Sequence, residues 1–495
     1  MNRQNDWITD ILLASVKYAD RPSMVIEETT YTYAGLFEKV WSICACIRSV
    51  KPNVIGIMAE NTVETYASVL AVLLAGKTYV ILHPSYPDSR NLQIIRQAGI
   101  EVLLHDDSVP VGFARSEGVV CISVSGEAIP VSAEPYYMTH AETDAYIIFT
   151  SGSTGEPKGV PISRSNLNAF YRAYSQLGWK LDETDRMLQM FELTFDVSVV
   201  SFLYPLTLGA CVYTVSSGGL KYLNVLDIME RHSLTFAAVA PSVLRLSRPY
   251  FNEISLPALK YLVVTAEASD VNIISEFRRC IPNASVVNLY GPTEATIYCT
   301  AYSIPYHDCK HHNGMVAIGR PFHGMEIVIA DEEGNPLPSG QTGELWVGGA
   351  QVMAGYWKNS QKSAECLVST ADGKVYYRTG DLCYQDADGD IFYCGRKDTQ
   401  VKVQGFRIEL AEIEYRVKQY YDNKTNAVVI PLYEEDGHCN LHLVLERPSD
   451  DTAALEQFLQ NELPPYMLPR RIHFMNSFPL NASSKTDRKK IMQLI

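Results

Sequence analysis

The sequence contains no paired CxxC motifs and no long hydrophobic run. Its eleven cysteines are scattered over 495 residues, and only Cys44 and Cys46 lie close together. This pattern argues against a zinc site and against a disulfide framework, so we expect reduced thiols. The most apolar run, residues 67–75, is far shorter than the roughly 20 residues that a membrane-spanning helix needs. We therefore expect no membrane insertion.

Positive charge is also in short supply. The formal net charge is −14 and the sequence pI is near 5.3, which argues against nucleic acid or an anionic membrane as the main partner. Asp6 and Asp10 stand where a secretory signal would need apolar residues, so a cytoplasmic location is expected. The remaining composition, 47% hydrophobic and 20% charged, is that of a globular protein.

The order of apolar segments predicts the fold class. Apolar runs at residues 54–58, 102–105 and 146–149 read as buried strands that alternate with helices, and Asn61 with Glu64 is expected to cap one helix. This alternation predicts an α/β fold whose large N-terminal domain, residues 1–394, consists of stacked α/β layers with a largely parallel sheet. Short strands after about residue 315 predict a small β-subdomain within it.

The last hundred or so residues have a different pattern of predicted strands and helices. After a boundary near residues 395–398, the pattern predicts strands, an acidic helix start at residues 409–414 and a further helix. We expect a small α+β C-terminal domain, residues 395–495.

The central segment, residues 146–160, reads YIIFTSGSTGEPKGV. A short apolar strand ends in a loop rich in hydroxyl groups and glycine, followed by Lys158. Successive backbone N–H groups in such a loop form a concavity that binds anions, so polyphosphate is the expected ligand. The loop is not a Walker A motif, because Pro157 precedes the lysine and Gly159 follows it.

Seven further segments follow a fixed order along the chain. They are LLAGKTYVILHPSYPDSR (73–90), FDVSV (195–199), NLYGPTEAT (288–296), GELWVGGAQVMAGYW (343–357), YRTGDL (377–382), GRKDTQVKVQGFRIEL (395–410) and LPPYMLP (463–469). Together with the central loop they resemble the motifs of the adenylate-forming superfamily, which includes acyl-CoA ligases, luciferases and amino-acid adenylation domains. The resemblance is most specific to the amino-acid adenylation branch.

The resemblance implies a site for ATP with Mg²⁺. Glu294 would hold the metal, which fits the preference of Mg²⁺ for carboxylate oxygen. Lys158 would steady the pyrophosphate, and Lys485 would bridge the attacking carboxylate and the α-phosphate. Asp381 would accept hydrogen bonds from the ribose, and Tyr290 would stack on adenine. The other expected nucleotide-binding residues are Thr150, Ser151, Gly152, Ser153, Thr154, Gly155, Asn288, Gly291, Thr293, Tyr393 and Arg396.

The same resemblance implies an amino-acid substrate. Asp196 would pair with the substrate's α-ammonium group, a contact that a fatty or aryl acid cannot make. The expected side-chain pocket is apolar and carries no second charge, which predicts a neutral amino acid, more often an apolar one. Its residues are Val197, Val200, Ala238, Val264, Ala266, Leu289, Ile297 and Tyr298.

The resemblance also implies a second half-reaction. The C-terminal domain would rotate about Asp398 as a mobile lid, bringing Lys402 and Gly405 to the cleft for thioester formation. No Gly-Gly-x-Ser segment follows Lys485, so a freestanding enzyme is expected, with a phosphopantetheinylated carrier protein as its partner. Ser483-Ser484 replaces the family's Asn-Gly before Lys485. An acyl- or aryl-CoA ligase and a catalytically degenerate nucleotide-binding module stay open as alternatives.

Overall fold

The computed structural model of the chain describes residues 6–126, 143–152, 156–216, 220–370, 372–434, 439–479 and 486–495. Four residues with predicted roles, Ser153, Thr154, Gly155 and Lys485, lie outside the described residues, as do Ser483 and Ser484.

The α-helices of the described segments are distributed over the whole chain. They are α1 (Trp7–Lys17), α2 (Tyr33–Ile47), α3 (Val63–Leu74), α4 (Asp88–Ala98), α5 (Gly112–Ser116), α6 (Arg164–Ser175), α7 (Val197–Leu208), α8 (Lys221–Arg231), α9 (Pro241–Ser247), α10 (Val271–Phe277), α11 (Ser360–Cys366), α12 (Leu410–Tyr420), α13 (Ala453–Glu462) and α14 (Arg488–Met492). Short 3₁₀ helices lie at Arg248–Tyr250, Arg278–Cys280, Thr293–Ala295 and Pro465–Met467.

The strands alternate with these helices in the first three hundred residues and then follow one another. They are β1 (Pro22–Ile26), β2 (Thr29–Thr32), β3 (Val54–Met58), β4 (Thr78–Leu82), β5 (Val102–His105), β6 (Val120–Ser123), β7 (Asp144–Thr150), β8 (Lys158–Ser163), β9 (Arg186–Gln189), β10 (Cys211–Thr214), β11 (Phe236–Val239), β12 (Tyr261–Val264), β13 (Ser285–Tyr290), β14 (Thr300–Ile304), β15 (His311–His312), β16 (Met315–Val316), β17 (Arg320–Pro321), β18 (Met325–Ala330), β19 (Gly343–Gly349), β20 (Leu367–Ser369), β21 (Val375–Gln385), β22 (Ile391–Arg396), β23 (Gln400–Val403), β24 (Phe406–Glu409), β25 (Ala427–Tyr433), β26 (Cys439–Glu446) and β27 (Arg471–Met475).

Two large, mostly parallel sheets organise the N-terminal part. One has nine strands in the order β17-β14-β13-β12-β11-β9-β10-β1-β2, and the other has six in the order β6-β5-β3-β4-β7-β8. Antiparallel pairs occur at their edges, for example between β13 and β14 and between β7 and β8. Strands of the interior are buried on both faces, so they read in the sequence as continuous apolar runs.

Helices cover both faces of the two sheets. The helices α3 and α7 are buried on nearly every side, which is why they are apolar all round, and they share one core with both sheets. The outer face of the nine-stranded sheet packs on α8, α9 and α10, and that of the six-stranded sheet packs on α4 and α5. The resulting helix–sheet–helix–sheet–helix stack confirms the predicted α/β fold class.

The later part of the chain forms two smaller units. The strands β18–β22 build a five-stranded antiparallel sheet. The hairpin β23–β24 and the three-stranded sheet β25-β26-β27 then pack against α12 and α13 around a separate core. This small domain presents β23, β24 and the first turn of α12 to the large one.

Local predictions met with different outcomes. The structure has β3 and β5 at the predicted residues. The expected cap of α3 is wrong by one residue, because the Thr62 hydroxyl, and not Asn61, accepts the Thr65 N–H. The strand that leads into the central loop turns back on itself as a hairpin with β8, so Thr150 lies directly opposite Lys158.

Candidate functional site

A cleft between the large domain and the β23–β24 hairpin gathers most of the predicted site residues. One cavity of about 220 Å³ is lined by the predicted nucleotide residues Asn288, Tyr290, Gly291, Tyr393 and Arg396. A second cavity of about 60 Å³ adjoins it. Its lining includes Asp196, Val197, Ala266, Ile297 and Tyr298 from the predicted substrate pocket.

The backbone around these cavities is strained. Ala266, Thr296 and Ile297 have φ angles of 70°, 57° and 70°, in the left-handed region that is unfavourable for residues with a Cβ atom. Gly291 has no side chain because there is no room for one, since a Cβ atom would lie 2.4 Å from the Ile297 carbonyl oxygen. Such strain is characteristic of functional sites, where the surrounding fold holds a residue in an unfavourable conformation.

The predicted ribose site joins three motifs. The Tyr290 hydroxyl donates to one oxygen of Asp381, and Arg396 Nη1 donates to the other at 2.8 Å. Arg396 also donates to both oxygens of Asp398, at 2.9 and 2.6 Å. One guanidinium group therefore connects the predicted ribose ligand with the predicted hinge residue. The carboxyl group of Asp398 has a lowered pKa, because Arg396 outweighs the effect of burial.

Asn288 and Tyr393 line the larger cavity in different ways. The Asn288 side chain is held in place, since it accepts from Ser269 at 3.2 Å and donates to the Ala317 carbonyl at 2.9 Å. Burial and the nearby Asp381 carboxylate raise the pKa of the Tyr393 phenol. The Asn288 side chain is thus a fixed part of the cavity wall, and the Tyr393 phenol stays protonated.

Glu294 is a fully buried anion. It lies in the 3₁₀ turn after Pro292 and accepts from Arg407 Nη1 at 2.8 Å and from the Tyr356 hydroxyl at 2.7 Å. The Lys158 ammonium lies 3.9 Å from it and 5.3 Å from the Tyr356 ring centroid. Burial alone would raise the pKa of Glu294, but Arg407 and Lys158 lower it to about 2.

Lys158 itself is exposed by only 12% and lies between two carboxylates, Glu294 and Glu409, each at 3.9 Å. Burial and the neighbouring Arg407 lower the pKa of its ammonium group, and the two carboxylates oppose that effect. The described part of the central loop also points at the cleft. The Ser151 hydroxyl donates to the Arg407 carbonyl and accepts from the Glu409 N–H, both in β24. The Gly152 N–H donates to the Glu412 carboxylate.

Asp196 stands at the first residue before α7, where the helix dipole favours negative charge. Its side chain is buried, and burial together with the Glu294 carboxylate raises its pKa to about 6. A hydrogen bond from Thr293 and the charge of Lys402 act in the opposite direction. The structure thus buries this carboxylate beside a cavity whose lining also includes charged side chains, among them Lys402 and Arg407, so the expectation of a pocket without a second charge is not met in this orientation of the small domain. A buried carboxylate is stabilised by a close cationic partner.

Other predicted pocket residues lie farther from this cavity. Leu289 lines the larger, nucleotide cavity. Within the described part of the chain, Val200, Ala238 and Val264 are not among the residues that line either cavity. Val200 and Ala238 pack in the core between the sheets, and Val264 packs in the outer core with Val239, because side chains of a strand alternate between faces.

The structure adds residues that the sequence did not single out. Arg407 on β24 and Glu412 on α12 both form hydrogen bonds with the large domain. Tyr356, in the segment 343–357, donates a hydrogen bond to Glu294. Arg407 carried no special signal, since it occupies a polar position of the alternating strand Phe406–Glu409. Glu412 carried no such signal, since it belongs to an acidic helix start of the kind that solvent usually covers.

Comparison with known proteins decides the family. A model of the AMP-binding enzyme family matches residues 14–357, which is more than half of the chain. The chain belongs to this family. This AMP-binding enzyme is accordingly an ATP-dependent, adenylate-forming ligase.

Relatives of this AMP-binding enzyme include several synthases and a carrier protein ligase. It is 32% identical to zwittermicin A synthase ZmaJ of Bacillus cereus over 97% of its own length and 93% of the relative. It is 31% identical to a D-alanine–D-alanyl carrier protein ligase of Bacillus licheniformis, over 96% and 98% of the two chains. Two other relatives are much longer, and the chain covers 7% and 9% of them.

Solved structures show the same architecture. The adenylation domain AlmE of Vibrio cholerae, in complex with glycyl-adenosine-5'-phosphate, superposes with a TM-score of 0.86 at 25% identity. The match covers 100% of this chain and 99% of AlmE. No helix in the described segments has the length and apolar character needed to cross a membrane.

Proposed function

We propose that this AMP-binding enzyme activates a neutral amino acid as its aminoacyl adenylate and transfers it to the phosphopantetheine thiol of a separate carrier protein. The observation that carries the proposal is Asp196. A buried carboxylate is costly unless it is paired, and the α-ammonium of an amino acid in the adjoining cavity is the partner that would stabilise it.

The substrate is proposed to be small. The cavity beside Asp196 measures about 60 Å³, and its wall carries the apolar side chains of Val197, Ala266 and Ile297. Two relatives support this size class, since one is named for D-alanine and the other was solved with a glycyl adenylate. Selectivity by such a pocket arises from shape and from the cost of leaving Asp196 unpaired.

In the first half-reaction, the amino-acid carboxylate attacks the α-phosphate of ATP. Asp381 and Arg396 are proposed to hold the ribose, Tyr290 the adenine, and the central loop with Lys158 the leaving phosphates. Lys485 is proposed to stabilise charge that develops at the α-phosphate. These groups act by placing reactants together and by countering negative charge, so no covalent intermediate with the protein is needed.

Glu294 has the properties of a magnesium ligand. Its carboxylate is buried and its low pKa keeps it ionised, which suits the preference of Mg²⁺ for charged oxygen. The described residues contain no group of three His, Cys, Asp or Glu side chains that could hold a metal ion, so nucleotide phosphates would supply further ligands. A bound Mg²⁺ would neutralise phosphate charge.

In the second half-reaction, the small domain is proposed to have turned about Asp398. Lys402 and Gly405 of the small domain line the cleft, and the Lys402 ammonium lies 5.5 Å from the Tyr290 ring centroid. This is the orientation expected for attack of a carrier thiol on the adenylate. We further propose that the chain acts as a freestanding ligase, as the full-length match to the D-alanine–carrier ligase supports.

Amino-acid-dependent exchange of radioactive pyrophosphate into ATP tests the proposal. The panel includes glycine, L- and D-alanine, larger neutral amino acids, and benzoic and fatty acids. Exchange with a small neutral amino acid would support the proposal. Exchange with only the non-amino acids would refute it and favour an acyl- or aryl-CoA ligase. Binding of ATP without exchange of any acid would favour a degenerate nucleotide-binding module.

A further inference from the structure

The cavity beside Asp196 contains a hydroxyl group to which the proposed function assigns no role. Tyr298 lines this cavity, and its side chain is only 1% exposed. Its hydroxyl oxygen is buried and has no hydrogen-bond partner among the residues that the structure describes. Because a buried hydroxyl without a partner is unfavourable, folded proteins pair the large majority of such groups.

The backbone that carries Tyr298 is held in one conformation. The chain reaches it through Thr296 and Ile297, whose φ angles of 57° and 70° are in the left-handed region. The buried Gln351 amide donates to the carbonyls on both sides of this turn, to Ala295 at 3.2 Å and to Tyr298 at 2.7 Å. The side chain therefore starts from a fixed position and cannot easily turn towards a different partner.

The phenol ring is packed by α6, and its hydroxyl end lies near the substrate cavity. The ring centroids of Tyr174 and Phe170 lie 6.4 and 6.3 Å from that of Tyr298. Burial raises the pKa of Tyr298 most, the nearby Thr265 hydroxyl opposes the rise, and the Asp196 carboxylate adds to it. Thr265 and Asp196 both line the cavity, but Thr265 does not form a hydrogen bond with Tyr298 in this structure. The phenol thus stays protonated and can both donate and accept.

The protein offers this hydroxyl no partner of its own. Val197, Ala266 and Ile297 make the adjoining wall of the cavity apolar. Within the described segments, no other large-domain residue that lines this cavity has a buried polar side-chain atom without a partner. A partner for the Tyr298 hydroxyl therefore has to enter with the molecule that fills the cavity.

We propose that Tyr298 selects an amino acid with a hydroxyl group on a short side chain, such as serine. This inference rests on the proposed function, in which Asp196 holds the α-ammonium group, and it concerns the other end of the same substrate. A cavity of about 60 Å³ admits a side chain of only a few atoms. An amino acid with a methyl group in place of the hydroxyl would leave Tyr298 buried and unpaired, so the site should discriminate against it.

Pyrophosphate exchange with serine and 2-aminobutyrate tests the proposal, because these two amino acids have the same shape and differ by a hydroxyl and a methyl group. Both enantiomers of each are assayed. For the enantiomer that the enzyme accepts, the wild-type kcat/KM should be about 10- to 100-fold higher for serine. In Tyr298→Phe, the two values should become about equal, because kcat/KM falls for serine and not for 2-aminobutyrate.

The matched control is Tyr146→Phe. Tyr146 is also fully buried with an unpartnered hydroxyl, but in the described part of the chain it is not among the residues that line either cavity. This control should keep the wild-type preference for serine. Tyr298→Phe should melt at or above the wild-type temperature, since the change removes no hydrogen bond of the free protein. A clearly lower melting temperature would reveal a partner for the hydroxyl within the protein and overturn the inference.

The remaining outcomes separate the inference from the proposed function. Exchange by the wild type with equal kcat/KM for serine and 2-aminobutyrate would show that the hydroxyl pairs only with water. An equal loss for both amino acids in Tyr298→Phe would show that the hydroxyl acts on the α-ammonium group. Either result would overturn the inference and leave the proposed function standing. Absence of exchange with every amino acid would overturn both.

Discussion

Replacing Asp196 with asparagine is the sharpest test of the substrate class. The change preserves the shape of the side chain and removes its charge. Asp196 is only 9% exposed, so its contact with a substrate ammonium would be almost fully desolvated. Truncating one partner of such a charge pair costs about 2 kcal/mol or more, which corresponds to a loss of about 30-fold or more in kcat/KM.

The loss should fall mainly on KM. The ammonium group takes no part in the bonds that form and break, so its contact with Asp196 is about equally strong in the ground state and the transition state. Removing such uniform binding raises KM and leaves kcat largely unchanged. Pyrophosphate exchange at saturating ATP, with the amino acid varied, measures both constants. The same assay with the acid that lacks the amino group should show almost no difference between wild type and variant.

Asp185→Asn is the matched control. Asp185 is also a buried aspartate, exposed by 1%, but it pairs with Lys260 at the far end of the nine-stranded sheet. The control should lower thermal stability without raising KM for the amino acid. The reasoning would be refuted if Asp196→Asn kept a wild-type KM, or if the wild type used the acid without an amino group as well as the amino acid.

Three further outcomes are expected. Since the pKa of Asp196 is raised to about 6, its charged form is lost as the pH falls through that value, and KM for the amino acid should rise about tenfold per pH unit below pH 6 in exchange assays, while remaining flat above it. In Gly291→Ala, the new methyl group would clash with the Ile297 carbonyl, so thermal denaturation should show a free energy of unfolding lower by about 1–3 kcal/mol. An unchanged free energy of unfolding would show that the backbone moves to relieve the clash. Lys310→Met removes the ammonium that bonds three aspartates of the 386–390 turn, so its melting temperature should fall more at low than at high ionic strength, and an equal fall would exclude repulsion as the cause.

The sequence was sufficient for features that depend on local pattern. Buried strands such as β3 and β5 could be predicted because parallel strands read as apolar runs between turns. The ordered motifs also contain two predicted nucleotide-binding residues that the structure brings into contact. Tyr290 and Asp381 are 91 positions apart in the chain, and the structure joins them by a hydrogen bond.

Features that depend on domain orientation could not be predicted. The acidic start of α12 reads as a solvent-exposed first turn that complements the helix dipole, yet Glu412 is fully buried against Arg90 and Gly152. Pairing between segments about 260 to 320 residues apart leaves no periodic signal. The face of a strand on which a residue lies could not be predicted either. Val264 was expected in the substrate pocket, but the alternation of side chains along β12 places it in the outer core.

The guanidinium group of Arg396 connects two aspartates that have different proposed roles. It holds Asp381, where the ribose is proposed to bind, and Asp398, about which the small domain is proposed to turn. A ribose that draws Asp381 away changes how firmly Arg396 restrains the backbone at Asp398. By thermodynamic reciprocity, each orientation of the small domain must then have its own affinity for the nucleotide. If the small domain turns as proposed, nucleotide binding and its rotation are two measures of one coupled equilibrium.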